Sequence, residues 1–359
     1  MGELKKAFIK QEKLISPKDK KSSLNNILKD QRVLFVLFGV LLILLQWSGL
    51  LKVSQMRAIG TTVVYSVAAL GFCNLLGFSG LASLGTAGFM GLGSYVAFYF
   101  LTKLQVPFLA TMAAVVIVAV VLGIVIGFIS LRIQGIFLAI ITLGLSEILV
   151  NVFIAFPEWT NGVAGASLPY PSLFFGLIKS DREMIFYVCT VVLVVLMMLT
   201  YNLMNSPTGR AMLAMKNSTS AAQAFGISII KYRLFAFVLS TAYAAIAGML
   251  YISYFGYSNP SSWGLALSLN ILGAIIIGGM RSIWGALAGV FILYGIQMLV
   301  LQNIPFFVDN PTFITLFSGV LIIVIVMFLP GGLPELVRII KGKITKSRKL
   351  AKERRYGEA

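Results

Sequence analysis

The sequence predicts an all-α protein, a polytopic transmembrane helical bundle of about ten spans, on three observations. Of its 359 residues, 58% are hydrophobic and only 11% are charged, whereas soluble domains carry about 25% charged residues. The mean hydropathy of +0.93 indicates that lipid is the solvent for most of the chain. Finally, ten apolar runs have the roughly 20-residue length that a helix needs to cross the hydrocarbon core.

The ten runs divide into two sets of five. The first set is separated by very short turns and comprises Val33 to Leu51, Ala58 to Gly77, Gly80 to Thr102, Val106 to Leu131 and Ile133 to Ala155. The second set comprises Met184 to Met204, Arg233 to Phe255, Trp263 to Met280, Trp284 to Gln302 and Thr312 to Leu329. The Pro330-Gly331-Gly332 sequence is expected to end the last helix.

The distribution of basic residues predicts the orientation and the division of the chain. With these spans, 24 of the 29 Lys and Arg residues fall on one side of the membrane, which the positive-inside rule assigns to the cytoplasm. We therefore expect a cytoplasmic basic N-terminal tail at 1–32, a transmembrane domain at 33–334 with a cytoplasmic loop at about 205–232, and a cytoplasmic basic C-terminal tail at 335–359. The tails are suited either to anionic membrane lipid or to a cytoplasmic partner.

Composition also excludes several function classes. The chain has no histidine and only two cysteines, each in an apolar stretch, so it offers neither His-based catalysis nor a typical metal cluster. The net charge of +17 lies mainly in tails and loops without interleaved stacking aromatics, which argues against nucleic acid as a partner. No phosphate-binding G-x-x-x-x-G-K-[ST] loop occurs, so we expect no metal, no cofactor and an external source of energy.

The segment from Gly77 to Tyr95 is unusually rich in glycine and small polar residues for a membrane span. This pattern predicts a discontinuous helix, whose freed backbone groups are tolerated only inside protein or along a wet cavity. Ser79, Ser83 and Thr86 are then candidate residues of a substrate pathway. The alternative is that the small residues only let two helices pack closely. Both interpretations can hold together.

Glu147 is the only carboxylate inside a predicted span. Without a partner its burial would cost several kcal/mol, so a hydrogen bond or a cation, such as Arg281, is expected to compensate. We include Glu147 among the pathway candidates, with two alternatives, a structural polar contact or a position near the outer surface.

Several motifs occur in the order of a known family. The Gly77–Tyr95 run resembles the GYTGLLSLGHAAFFGIGAY signature of LivM-type branched-chain amino acid permeases. Arg132 to Glu147 is similar to that family's R-x-x-G-I-x-x-A-I-x-T-L-x-x-x-E, and Thr160 to Gly165 to its T-G-G-x-x-G loop. The resemblance extends from about residue 58 to 334. The sequence departs from the pattern at Thr86, Arg281 and Ala286, which leaves the substrate open.

The resemblance implies the permease subunit of a bacterial ABC importer in the plasma membrane, which carries leucine, isoleucine or valine and is not itself an enzyme. Its implied partners are a LivH-type permease, two ABC ATPase subunits and an extracytoplasmic solute-binding protein. It implies that the loop at about 205–232 holds a coupling helix, with five ATPase-coupling candidates: Arg210, Lys216, Ala221, Ala222 and Gly226. The simpler interpretation of this loop is a re-entry loop whose positive charges only set topology.

Asn161, in the predicted outer loop beside Trp159 and Thr160, is a further candidate, since the family implies that this loop meets the binding protein. Tryptophan at an interface is otherwise an ordinary membrane anchor. Three other functions remain as alternatives: an ABC permease for urea, amides or nucleosides, an ion-coupled secondary transporter, and a membrane-bound enzyme. The scarcity of membrane carboxylates and the absence of histidine argue against the last two.

Overall fold

A computed structural model describes residues 30–49, 51–130, 136–171, 181–301, 304–310, 312–328 and 331–335. Nearly all of the predicted N-terminal and C-terminal tails lies outside these residues, as does Arg132 of the second motif.

The regular secondary structure of the described residues is helical apart from one short two-stranded ribbon. The N-terminal half contains α1 (Gln31–Trp47), α2 (Val53–Phe72), α3 (Thr86–Thr102), α4 (Phe108–Ser130), α5 (Ile136–Ala155) and α6 (Pro157–Thr160). The C-terminal half contains α7 (Arg182–Asn205), α8 (Pro207–Asn217), α9 (Thr219–Ala224), α10 (Ile229–Phe255), α11 (Leu265–Gly278), α12 (Ile283–Val290), α13 (Ile296–Leu299), α14 (Pro305–Asp309) and α15 (Thr312–Phe328). Two π-helical segments continue α2 and α12, at Cys73–Ser79 and Phe291–Gly295.

The predicted all-α membrane fold is confirmed, although the helices differ in length. Among the described residues, five helices are long and apolar enough to cross a membrane: Val53–Ser79, Phe108–Phe128, Phe137–Ala155, Arg182–Asn205 and Ile229–Phe255. Shorter apolar helices occupy Gln31–Trp47, Leu265–Gly278, Ile283–Leu299 and Leu316–Ile325. At about 1.5 Å per residue the 14 residues of α11 reach only about 21 Å, which is less than the roughly 30 Å hydrocarbon core.

α10 lies at the centre of the bundle, packed against α2, α3 and α4. It crosses α3 at a pair of glycines, because the two backbones touch directly there. A Cβ added to Gly93 would lie 1.9 Å from the carbonyl oxygen of Ala245, and a Cβ added to Gly248 would lie 1.7 Å from that of Met90. Small residues thus set the distance between these helices, as the close-packing interpretation predicts.

The second glycine-rich segment makes an equivalent contact within the α11–α12 hairpin. Added Cβ atoms at Gly278 and Gly285 would lie 1.9 and 2.0 Å from each other's carbonyl oxygens, and one at Gly289 would lie 1.8 Å from the carbonyl oxygen of Ala274. The turn between the helices includes Gly279 at φ +95°. Its glycines therefore serve close backbone packing.

A short antiparallel ribbon joins two connections at one end of the bundle. β1 (Ala166–Ser167) pairs with β2 (Tyr257–Ser258), with Ala166 opposite Ser258. The indole Nε1 of Trp263 donates to Ser258 Oγ (3.0 Å), and Trp263 is fully buried. The ribbon therefore fixes the connection that follows α5 against the one that follows α10.

Candidate functional site

The continuous path of α2 ends at Ser79, and the chain does not resume a helix until Thr86. The π-helical segment Cys73–Ser79 widens the last turns of α2, and Gly80 then adopts φ +72°, a left-handed conformation that suits glycine. Residues 81–85 are not helical. The predicted break in the glycine-rich span is therefore present, and π-helical turns of this kind occur frequently at functional sites.

Hydroxyl groups from three segments satisfy the backbone amides around the break. The amide of Leu84 donates to Thr142 Oγ1 on α5 (2.9 Å), and the amide of Ala87 donates to Ser268 Oγ on α11 (3.0 Å). The amide of Gly85 donates to Ser83 Oγ (3.3 Å). The protein itself thus supplies the partners that non-helical backbone requires at membrane depth.

The break borders a small cavity between α2, α3 and α10. Its volume is ≈ 10 Å³, about the lower limit for one water molecule. Four lining residues contribute hydroxyl groups: Ser83, Thr86, Ser240 and Thr241. The other four are apolar: Leu75, Phe89, Phe237 and Ala244. In this conformation the cavity is far too small for an amino acid.

The structure brings together only two of the five predicted pathway residues. Ser83 and Thr86 both line the cavity, whereas Ser79 is buried and its hydroxyl donates to the Leu75 carbonyl within its own helix. Asn161 lies in the connection after α6, where its Nδ2 donates to the Gly165 carbonyl (2.8 Å). Glu147 is exposed on the outer face of α5. The predicted compensating contact of Glu147 with Arg281 is not observed among the described residues.

Sequence reasoning missed the hydroxyls of Ser240, Thr241, Thr142 and Ser268. They occur on three helices, α10, α5 and α11, that are far apart in the sequence. Such residues commonly bond to their own helix, and Thr241 Oγ1 indeed donates to the Val238 carbonyl (2.8 Å). Spacing along the chain therefore gave no signal that Ser240 and Thr241 line the cavity or that Thr142 and Ser268 bond to the break.

The loop predicted to hold one coupling helix instead contains two, α8 and α9, separated by Ser218. Serine hydroxyls cap both: Ser206 Oγ accepts from the Gly209 amide (3.2 Å), and Ser218 Oγ accepts from the Ala221 amide (3.3 Å). Gly226 follows α9 at φ +76°, a left-handed conformation that commonly ends helices. A small core of Met215, Ala222 and Ile229 holds α8, α9 and the start of α10 together.

Lys216 connects this loop to the break. Its Nζ donates to the carbonyl oxygens of Leu76 and Gly77, both at 2.9 Å. These carbonyls lie at the C-terminal end of the π-helical segment, where the helix dipole favours a cation. Burial, together with the positive charge of Arg281, lowers the pKa of the Lys216 ammonium from its ordinary value. Lys216 therefore contacts the transmembrane core and does not point to an external partner.

The other coupling candidates differ in exposure. Arg210 is exposed and donates from Nη1 to the Asn205 carbonyl (3.1 Å), and Ala221 and Gly226 are also exposed. Ala222 is buried and is unavailable to a partner. Phe225, which the sequence analysis did not select, has 86% of its surface exposed. A phenylalanine this exposed beside a positive-φ glycine is the most apolar feature of the loop's outer surface.

Comparison with known proteins is consistent with this arrangement. The family described as "Branched-chain amino acid transport system / permease component" matches residues 55–326. The chain belongs to this permease family. It is a multi-pass membrane protein with a permease role, and the matched range includes the broken helix, the cavity and the α8–α9 loop.

Named relatives include two kinds of branched-chain amino acid permease and one autoinducer permease. The high-affinity permease protein LivM of Salmonella typhimurium is 29% identical over 325 residues, covering 84% of this chain and 75% of the relative. A probable LivH permease of Methanocaldococcus jannaschii is 34% identical over 160 residues, covering 44% and 50%. The autoinducer 2 import permease LsrC of Yersinia pseudotuberculosis is 29% identical over 208 residues, covering 54% and 56%. No solved structure gives a significant match.

Proposed function

We propose that this chain is one permease half of an ABC importer that carries leucine, isoleucine or valine through the bacterial plasma membrane, with both termini in the cytoplasm. A companion permease of the LivH kind, two ATPase subunits and an external solute-binding protein complete the importer. Similarity to both LivM and LivH relatives supports this pairing, because two related permeases fit a pseudo-symmetric pore.

The observation that carries the proposal is the physical connection from the α8–α9 loop to the cavity. Lys216 on α8 holds the Leu76 and Gly77 carbonyls, and the chain then passes through Gly80 to Ser83 and Thr86 at the cavity wall. An ATPase that moved this loop would therefore displace the end of α2 and the backbone bordering the cavity. Such a link suits alternating access driven by an external subunit.

The substrate is proposed from the relatives, and the cavity wall is compatible with it. An apolar wall with few hydroxyls suits an aliphatic side chain, yet the LsrC relative is named for a different solute. The decisive test is ATP-dependent uptake of leucine into vesicles that contain the complete importer, with urea and adenosine as competitors. Uptake that needs both ATP and the binding protein is expected. Uptake driven by an ion gradient without the ATPases would overturn the mechanism, and selective inhibition by adenosine or urea would overturn the substrate.

Phe225 is proposed as the apolar contact between the α8–α9 loop and an ATPase subunit. We expect Phe225→Ala to weaken ATPase association roughly tenfold, since a buried interface phenylalanine is commonly worth 1–2 kcal/mol or more. The measurement is the amount of ATPase recovered with the affinity-purified permease over a range of ATPase concentrations. Trp47→Ala is the matched control, because Trp47 is 79% exposed but is predicted to lie at the opposite membrane surface. Equal recovery from both variants would contradict the assignment.

A further inference from the structure

α4 and α5 are the two membrane-length helices with the least burial, each with 22% of its apolar window inside the protein. The large exposed side chains of α4 are all apolar: Leu109, Ile117, Val121, Ile124, Val125 and Phe128. A face made of apolar side chains alone is suited to lipid tails. The exposed face of α4 is therefore the lipid-facing surface with which other helices of this protein can be compared.

The outer face of α5 differs from that of α4 because it carries exposed polar side chains. Gly144, Glu147 and Asn151 are all exposed and recur at three- and four-residue intervals, so they share one face of the helix. We call these three residues the α5 polar face. At about 1.5 Å per residue, Glu147 lies about 16 Å along a helix of about 30 Å. Its carboxylate is therefore near the middle of the span.

Within the described residues, the Glu147 carboxylate accepts no hydrogen bond and forms no ion pair. The neighbouring Asn151 does not satisfy the carboxylate, because its Nδ2 donates to the backbone carbonyl of Glu147 (2.8 Å). No described atom lies within 4 Å of a Cβ built on Gly144, so the described surface there is open to a close approach. Ionised side chains at mid-membrane depth almost always face protein or water.

We propose that the α5 polar face is the surface on which a transmembrane helix of the companion permease packs. This inference rests on the proposed function, which requires such a second permease. The partner helix places small side chains against Gly144 and a hydrogen-bond donor or basic side chain against Glu147, because a carboxylate and a glycine require those complements. The α4 face, in contrast, remains in contact with lipid.

The first test is photo-cross-linking within the purified, complete importer. A benzophenone amino acid is placed at Ile140 or Ile148, both exposed beside the α5 polar face, and at Ile117 or Val121 of α4 as matched controls. We expect a cross-link to the companion permease from the α5 positions and only lipid adducts from the α4 positions. Lipid adducts alone from α5, or a cross-link to a second copy of this chain, would overturn the inference.

The second test measures assembly directly. Glu147→Leu is expected to reduce the companion permease recovered with this chain about threefold to tenfold, the range expected for losing a polar contact between membrane helices. Glu147→Gln, which still accepts a hydrogen bond, should lose less, and Val121→Leu on α4 should lose nothing. Equal recovery of the companion with Glu147→Leu and with the unaltered chain would contradict the proposal.

The two tests also separate the failure of this inference from the failure of the proposed function. If the unaltered chain recovers a companion permease but α5 does not cross-link to it, the docking surface is wrong and the importer assignment remains. If the unaltered chain recovers no companion permease, the proposed importer itself is contradicted.

Discussion

Replacing Gly248 by valine is expected to remove most of the folded protein from the membrane. The valine Cβ would start 1.7 Å from the Met90 carbonyl oxygen, and backbone atoms on both helices block any local adjustment. α3 and α10 would have to separate, and overpacking that moves backbone typically costs about 1–3 kcal/mol or more. The measurement is the monodisperse fraction after detergent extraction, together with the Tm of what remains.

Gly319→Val on α15 is the matched control for this variant. It introduces the same side chain into another apolar helix, where nothing lies within 4 Å of the added Cβ. We expect near-normal yield and Tm for the control. Normal yield of Gly248→Val would show that the α3–α10 crossing is not closely packed in the native protein.

Replacing Lys216 by methionine is expected to lower ATP-driven transport by roughly tenfold or more while the ATPases still bind and hydrolyse ATP. The variant keeps the length of the side chain but loses two charge-assisted hydrogen bonds to Leu76 and Gly77, each commonly worth about 1.5–3 kcal/mol. The α8–α9 loop could then move without displacing the end of α2. The measurement is the ratio of solute imported to ATP hydrolysed in vesicles.

Lys231→Met is the corresponding control, since Lys231 lies in the same predicted cytoplasmic loop but is exposed. It should keep the ratio of the unaltered chain. If Lys216→Met imports as much solute per ATP as Lys231→Met, the Lys216 contact does not transmit the motion. Loss of ATPase binding in Lys216→Met would instead assign this residue to the docking surface, as the sequence analysis first suggested.

The helices were predictable because hydropathy reports directly on the membrane solvent. Each of the ten apolar runs contains a helix, and the glycine-rich run at Gly77 to Tyr95 is broken as expected. In that run, the two interpretations of its glycines, a broken helix and close helix packing, both hold. Gly80 adopts the left-handed turn of the break, whereas Gly93 makes a close helix crossing. The positions of these residues along one sequence do not distinguish the two roles.

The site was less predictable because its side chains come from helices far apart in sequence. Ser83 and Thr86 stood within the recognised motif, but Thr142 and Ser268 are brought to the break by packing alone. Lys216 was predicted as an ATPase-coupling residue, and its hydrogen bonds to the Leu76 and Gly77 carbonyls follow only from the packing of α8 against the end of α2. For Glu147 a compensating hydrogen bond or cation was expected, with a position near the outer surface as an alternative. The sequence alone does not indicate which face of α5 the bundle covers.

The single-water cavity also bears on the electrical insulation of the membrane. A connected file of water molecules would let protons pass and dissipate the potential across the bilayer, whereas apolar constrictions prevent such files from forming. A space of ≈ 10 Å³ bounded by Phe89 and Phe237 holds at most one water, which has no neighbouring water there for proton relay. In this conformation the cavity therefore does not hold a connected file of water molecules.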